Sequence, residues 1–481
     1  MRVNGFFISS ALATSIAIAG AYSSSTSAAT DTQATLTDPQ AVSHVAMKLR
    51  DSALQDPFAY DFLRELTTRF GARPAGSESA TAAGRWGERI LQEAGLKNVT
   101  QEKFLLKRWT AQNVKVQILQ PGSQSLVSTL LGGSLISGPV EGTMAYFPTY
   151  TAFLASPPGE SRDKIVVIGQ ELRRTADGSD YVAMVPERSK GPAEAKSRGA
   201  LGFVIRSLAT HSNRLASSGS TSWASHGTVP AFAISAADAE QLQRLGQLGP
   251  VRLKLDATTQ QSDVSAGNVI AIIPGSDSMA DPVVISAHLD SWEQGTGAID
   301  DGFGLATVTA AARLIAQLPI APRRTIRVVW FGAEEVSQPP PVNDFPAARA
   351  YAARHQSELE KYAMVGESDW GGGRITSLSL PAGAASRSVG DQAAPILKPL
   401  GIAIEVDPVK IAGPDIAVLQ KTGVPAFRLN QDATGFFDTH HNANDIFDQV
   451  DNQALKQNVA GWVAWIWLLA NSDGEFREVN D

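Results

Sequence analysis

The sequence predicts an α/β protein: a mixed, mainly parallel sheet with helices on both faces, and a smaller α/β unit inserted into it. Three observations carry this prediction. From Asn268 onward, short uninterrupted apolar runs alternate with helical periodicity. Strands apolar on both faces belong to parallel sheets that helices cover on each side. Between residues 121 and 263 the chain turns rich in Gly, Ser, Thr and Pro, with short strands, which marks a separate unit. A length of 481 residues with 43% hydrophobic content is enough for two or three domains with ordinary cores.

The elements follow in chain order. Arg2, an apolar small-residue run over 6–21 and the Ser27-Ala28-Ala29 triplet predict a cleaved signal peptide over residues 1–29, hence export to the periplasm or the exterior. The run is too short to span a membrane well. Residues 30–120 form the first part of the larger domain. A polar linker precedes helices over 57–70 and 77–94, separated by the turn-rich 71–76, and strands over 99–105 and 114–119. The inserted unit, 121–263, carries strands over 164–168, 202–205 and 229–235 and helices over 191–199 and 236–244. It holds no cluster of His and acidic residues, so no chemistry of its own is expected there. The remaining domain, 264–481, has buried strands over 269–273, 283–287, 326–331, 364–366 and 426–429, with a helix over 302–317. The apolar stretch 459–470 continues a helical pattern begun at Asn452, so a buried helix is expected rather than a membrane span.

Charge and cysteine usage narrow the function. The formal net charge is −7 and no long basic run occurs, which argues against nucleic acid as a main partner. With no cysteine, a metal must be held by His, Asp and Glu.

Donors of these types gather just past the predicted strands, at the edge where open α/β sheets place ligands. His288 ends one strand, and Asp290 is near enough to orient its ring. Asp300 and Asp301 sit between glycines at a helix start. Asp300 has two oxygens that can face two cations. A phosphate-binding loop is the competing reading, but the lysine and glycine spacing it needs are missing. Glu334 and Glu335 leave the strand over 326–331. Like charges this close need a cation, and one of the two can act as a base. Asp369 and the pair His440-His441 complete the set. Each motif alone is common as a turn or solvated face; the joint pattern is not. His44, His211, His226 and His355 lack such company and read as structural or solvated.

In this order, the motifs resemble the co-catalytic zinc aminopeptidases, most closely the carboxypeptidase Q branch, with its zinc exopeptidase fold and inserted protease-associated domain. The resemblance covers most of the chain after residue 29. It implies two zinc ions: His288 and Asp369 on one, Glu335 and His441 on the other, Asp300 bridging, Glu334 as general base and Asp290 orienting His288. His441 is preferred to His440 because three residues separate it from Asp445, as in the family. Asn442, Ile446 and Phe303 depart from the usual residues without removing a ligand. The implied activity is hydrolysis of dipeptides or of N-terminal residues of short peptides, with Trp292, Trp370 and Phe437 as candidate pocket walls. A single-zinc amidohydrolase and an inactive binding module are the rival readings. Whether the chain forms a homodimer is left open.

Overall fold

The structure, a computed structural model, describes residues 38–477 except 226 and 408. The expected signal peptide and His226 lie outside the described residues.

Among the described residues the strands form two sheets. The larger contains β1 (Lys97–Gln120), β2 (Gln124–Leu126), β3 (Ser128–Leu130), β4 (Val140–Phe147), β5 (Lys164–Ile168), β6 (Gly202–Arg206), β7 (Ala231–Ile234), β8 (Arg252–Ile273), β9 (Val283–His288), β10 (Ile326–Phe331) and β11 (Met364–Glu367). The smaller contains β12 (Ile375–Leu380), β13 (Ala403–Val406) and β14 (Arg428–Gln431). Helices α1 (Pro39–Ala53), α2 (Phe58–Phe70), α3 (Glu78–Glu93), α4 (Tyr150–Ala155), α5 (Ser179–Ser197), α6 (Ala236–Leu248), α7 (Phe303–Ala316), α8 (Pro346–Arg354), α9 (Ala384–Leu397), α10 (Ile416–Gln420) and α11 (Asn452–Asn471) cover them. Helix starts follow local chemistry: the Asp38 side chain accepts from Gln40 N, and Ser77 from Ala80 N.

Strand β9 lies between β10 and β11 and is parallel to both. The long β8 then joins two halves of the sheet. Its last residues pair antiparallel with β10, and its first pair antiparallel with β4, which leads into parallel β5, β6 and β7. The strands are apolar on both faces because both faces are packed. Val283, Ile285 and Ala287 join one core cluster, whereas Val284 joins another. Each such side chain contributes about 1.5–3 kcal/mol by leaving water. Helix α3 packs so close to β10 that a Cβ on Gly87 would sit 2.1 Å from the Trp330 ring.

Three expectations need correction. The strands expected over 99–105 and 114–119 are one strand, β1, paired with β8 from Lys97 to Gln120. Polar residues between them suggested a break, but the ladder runs on and absorbs a register shift between Gln112 and Lys115. The helix expected over 191–199 begins at Ser179, and Pro186 and Pro192 lie inside it; those prolines hid its first turns. The strand expected over 426–429 touches the main sheet only through a bridge from Ala426 to Val365, and β14 pairs with β12 in the second sheet. The chain crosses there because Phe427 packs beneath Gly366, its ring among Trp462 and Trp465. No helix among the described residues is long and apolar enough to cross a membrane.

Candidate metal centre

The parallel register of β9, β10 and β11 sets His288 opposite Phe331, and Ser286 opposite Glu367. The segments that follow all leave from one sheet edge: His288 itself, Glu334 and Glu335 after β10, and Asp369 after β11. Asp300 comes from the turn that opens α7. His441 comes from the loop after β14. The seven residues singled out from the sequence therefore meet in one place.

Asp300 is at its centre. Its Oδ1 lies 3.2 Å from His288 Nε2, and its Oδ2 lies 3.2 Å from His441 Nε2. Asp369 Oδ1 is 3.7 Å from His288 Nε2, and Glu335 Oε2 is 3.1 Å from His441 Nε2. Two donor triads thus share one carboxylate. His440 is near as well: its Nε2 is 3.6 Å from Asp300 Oδ2, and its ring stacks on His441 at 3.5 Å. Asp300, His440 and His441 form one group able to hold a metal; His288 belongs to two others, with Asp301 and Asp369 and with Glu334 and Glu335.

Backbone groups fix this arrangement. Asp290 accepts from Glu334 N at 2.9 Å and Glu335 N at 3.2 Å. Its carboxylate is 3.5 Å from His288 Nδ1, but its main-chain oxygen is nearer, at 3.0 Å. A hydrogen on Nδ1 donates to that carbonyl, which makes Nε2, the nitrogen facing Asp300, the one that would take a metal. Asp301 accepts from His288 N and Gly304 N, both at 3.0 Å, so its two oxygens already serve backbone donors. Asp445 accepts from Ile299 N at 2.6 Å and Asp300 N at 3.3 Å, anchoring the central turn. Arg73, fully buried, binds the carbonyls of Leu289, Thr296 and Gly297 and so ties the β9 loop to the same turn. His441 adopts φ 60°, a strained conformation for a side chain of its size, and Ser218 N holds its carbonyl at 2.9 Å.

Electrostatics match the geometry. Burial disfavours a charged Asp300, yet hydrogen bonds from His288 and His441 hold its pKa well below the usual carboxylate range. Burial works against the His288 imidazolium too, but Asp369, Asp290 and Asp300 raise its pKa well above the ordinary value. His441, likewise opposed by burial, is raised to about 9 by Glu335 and Asp300. Glu334 is pushed well up by burial and then by Glu335 and Asp369. Among the described residues no Lys or Arg pairs with Asp300, Glu335 or Asp369; their partners are imidazoles. Glu335 Oε1 is buried with no hydrogen-bond partner. Ligands about 2.0–2.1 Å from a tetrahedral ion stand roughly 3.3 Å apart, the spacing seen across these triads. An all-oxygen-and-imidazole set with unbalanced buried carboxylates fits divalent cations.

Comparison with known proteins agrees. A profile of Peptidase family M28 matches residues 268–466. Carboxypeptidase Q from Rattus norvegicus is 30% identical over 421 residues, 86% of each chain. The solved peptidase M28 precursor from Shewanella amazonensis is 36% identical, covers 92% of this chain and 100% of its own, and superposes with a TM-score of 0.86. The chain belongs to peptidase family M28. It is accordingly a metallopeptidase, a hydrolase. BSAP, a zinc aminopeptidase from Bacillus subtilis, shares the M28 fold at 18% identity, with 85% of this chain and 94% of its own covered and a TM-score of 0.60.

Sequence reasoning missed several contributors to this M28 site. Asp445 was noticed only as a spacing marker; its N–H partners lie 145 and 146 residues away. Arg73 sits in a turn-rich segment that gave no hint of a buried guanidinium. Tyr181 and Phe437 stack at 4.5 Å, and the Tyr181 ring meets His440 edge-on at 4.9 Å, so α5 reaches the site from the segment thought to lack chemistry. Ser220 Oγ also donates to the Glu335 carbonyl at 2.6 Å. Of the expected walls, Trp292 donates from Nε1 to Glu335 Oε2, and Trp370 lies edge-on to Phe437 at 6.4 Å.

Proposed function

We propose that this M28 member is an exported exopeptidase that holds two zinc ions and hydrolyses dipeptides or removes N-terminal residues from short peptides. The observation that carries it is the position of Asp300, one oxygen toward each of two imidazoles. His288 and Asp369 would hold one ion and Glu335 and His441 the other, with Asp300 offering an oxygen to each. Bound divalent ions supply Lewis acidity to the scissile carbonyl, acidify the attacking water, and lend the positive charge that keeps these carboxylates ionised.

The protein's own residues do the rest. Glu334 takes the proton from the attacking water and returns it to the leaving amine. Its backbone N–H is fixed by Asp290, so the base is aimed by the same residue that adjoins His288. Trp292 restrains Glu335 through its indole N–H, leaving Glu334 and Glu335 with separate tasks. Export rests on residues 1–29, and residues 121–263 form the inserted unit that overhangs the centre through α5 and Ser218–Ser220.

Glu334→Gln tests the mechanism. Turnover of dipeptides should fall by about 10²–10⁴-fold, while mass spectrometry of the purified variant still finds two zinc ions per chain. Turnover close to that of the unaltered protein would remove Glu334 as the base.

A further inference from the structure

The inserted unit grips one of the two metal positions and not the other. It joins the larger domain through the two-stranded ribbon of β1 and β8. Its segment 217–220 nevertheless reaches both residues that belong to the second position alone. Ser220 Oγ donates to the Glu335 carbonyl at 2.6 Å. Ser218 N donates to the His441 carbonyl at 2.9 Å, and His441 Nδ1 lies 3.4 Å from the Ser218 carbonyl. At the first position His288 Nδ1 meets the carbonyl of Asp290 in its own loop. Among the described residues no hydrogen bond from 121–263 ends on His288 or Asp369.

The loop that carries His441 is fastened to the inserted unit along its length. Ala433 N donates to the Ala176 carbonyl at 2.8 Å. Asp438 accepts two hydrogen bonds from Arg174, at 2.8 and 2.7 Å, and one from Thr210 Oγ1 at 2.8 Å. Asn442, directly after the ligand, donates from Nδ2 to Ser217 Oγ at 3.3 Å. His441 itself sits at φ 60°, a conformation that persists only where the surroundings impose it. Resting on the two-zinc reading above, we propose that segment 217–220 positions Glu335 and His441 for the second ion, so that docking of the inserted unit and binding of that ion strengthen one another.

The chemistry follows from how an imidazole binds a metal. A hydrogen on Nδ1 that donates to a fixed carbonyl selects the tautomer, orients the ring and makes Nε2 the better ligand. For His441 that carbonyl belongs to Ser218, 223 residues earlier in the chain. Glu335 is fixed at both ends of its backbone: Asp290 accepts from its N–H, and Ser220 donates to its carbonyl. Trp292, whose indole N–H donates to Glu335 Oε2, packs on Gly132 of the inserted unit so closely that a Cβ there would stand 2.4 Å from the ring. Linkage makes the effect reciprocal: whatever docking adds to the affinity for the ion, the bound ion returns to docking.

Zinc affinity, read by chelator competition and mass spectrometry, tests this without turnover. His288→Ala disables the first position and His441→Ala the second. Ser220→Ala should weaken zinc binding by about tenfold in the His288→Ala chain and leave the His441→Ala chain unchanged. Ser220→Thr keeps the hydroxyl and should restore most of the loss. If either background does not fold, Ser220→Ala in the otherwise unaltered chain carries the test: of its two zinc-release steps, one should shift by about tenfold and the other stay. Hydrogen exchange gives the reciprocal readout. Zinc should slow exchange of the Ser218 amide in the His288→Ala chain and not in the His441→Ala chain. Equal weakening at both positions, none at either, a Thr variant as weak as the Ala variant, or no protection of Ser218 overturns the proposal. If two ions bind and this coupling holds but dipeptides and aminoacyl reporters stay intact, the exopeptidase reading fails and the coupling stands. A single ion that survives His441→Ala overturns both the two-zinc reading and the coupling.

Discussion

The sheet edge and helix α5 both bury carboxylates, under opposite electrostatic rules. At the edge Asp300 is buried between His288 and His441, and their hydrogen bonds hold it ionised against the cost of burial. On α5 Glu187 is just as buried, but neither oxygen has a partner, and desolvation alone pushes its pKa well above 4.5. Sequence marks Asp300 by its flanking glycines but does not show that Glu187 is buried as well. What separates them is whether imidazoles from distant segments converge on the oxygens. A buried acid is a neutral packing group by default and becomes a metal donor only inside such a convergence.

The strongest way to break this contrast is at Asp300. Asp300→Asn keeps the shape but removes the charge that faces both imidazoles. Turnover should fall by at least about 10³-fold, and zinc content should drop below two per chain by mass spectrometry. Retention of both ions would show that Asp300 is no more a donor than Glu187. The neighbouring histidines sharpen the point. His441 pairs with both Asp300 and Glu335, whereas among the described residues His440 pairs with the single carboxylate of Asp300. His441→Ala should therefore lose one zinc, with about 10²–10³-fold lower kcat/KM. His440→Ala should keep both ions and cost about tenfold. The reverse pattern would move the ligand role to His440.

Much of this convergence was legible before any coordinates. The apolar runs behind β9, β10 and β11 announce parallel strands, and the donors that follow them must reach one edge if the strands are neighbours. The Asp300 turn was legible because glycines flank it. The burial of Glu187 without a hydrogen-bond partner was not, because no local pattern records it. Helix α5 was itself foreshortened in the sequence by Pro186 and Pro192, so Tyr181 had no element to sit on. Residues 426–429 misled for a related reason: an apolar run shows that a segment is buried but not which sheet it joins. His288 shows a finer limit. The spacing to Asp290 suggested a carboxylate contact, whereas the main-chain oxygen is nearer at 3.0 Å and the carboxylate chiefly serves the N–H groups of Glu334 and Glu335.

Asp445 gives a smaller effect, because it acts through the backbone of the central turn. Asp445→Asn keeps one acceptor oxygen for two N–H groups, those of Ile299 and Asp300. We expect kcat/KM to fall by about 10–100-fold, with both zinc ions retained but released faster to a chelator. Unchanged release would mean that Arg73 alone holds the turn.

The smallest effect is at Glu187, and it concerns stability rather than turnover. The folded protein keeps Glu187 protonated above pH 4.5, where the unfolded chain has already released that proton. The native state then binds more protons than the unfolded state, so this residue's contribution to stability falls as pH rises from 4.5 toward the elevated native value. Glu187→Gln is neutral in both states and removes the dependence. Relative to the unaltered protein, the variant's Tm should gain about 1–3 °C on moving from pH 5 to pH 8, measured by scanning calorimetry of the zinc-loaded forms. No relative change over that interval would mean that Glu187 is ionised in the folded state as well as the unfolded one, and the contrast between the two buried regions would vanish.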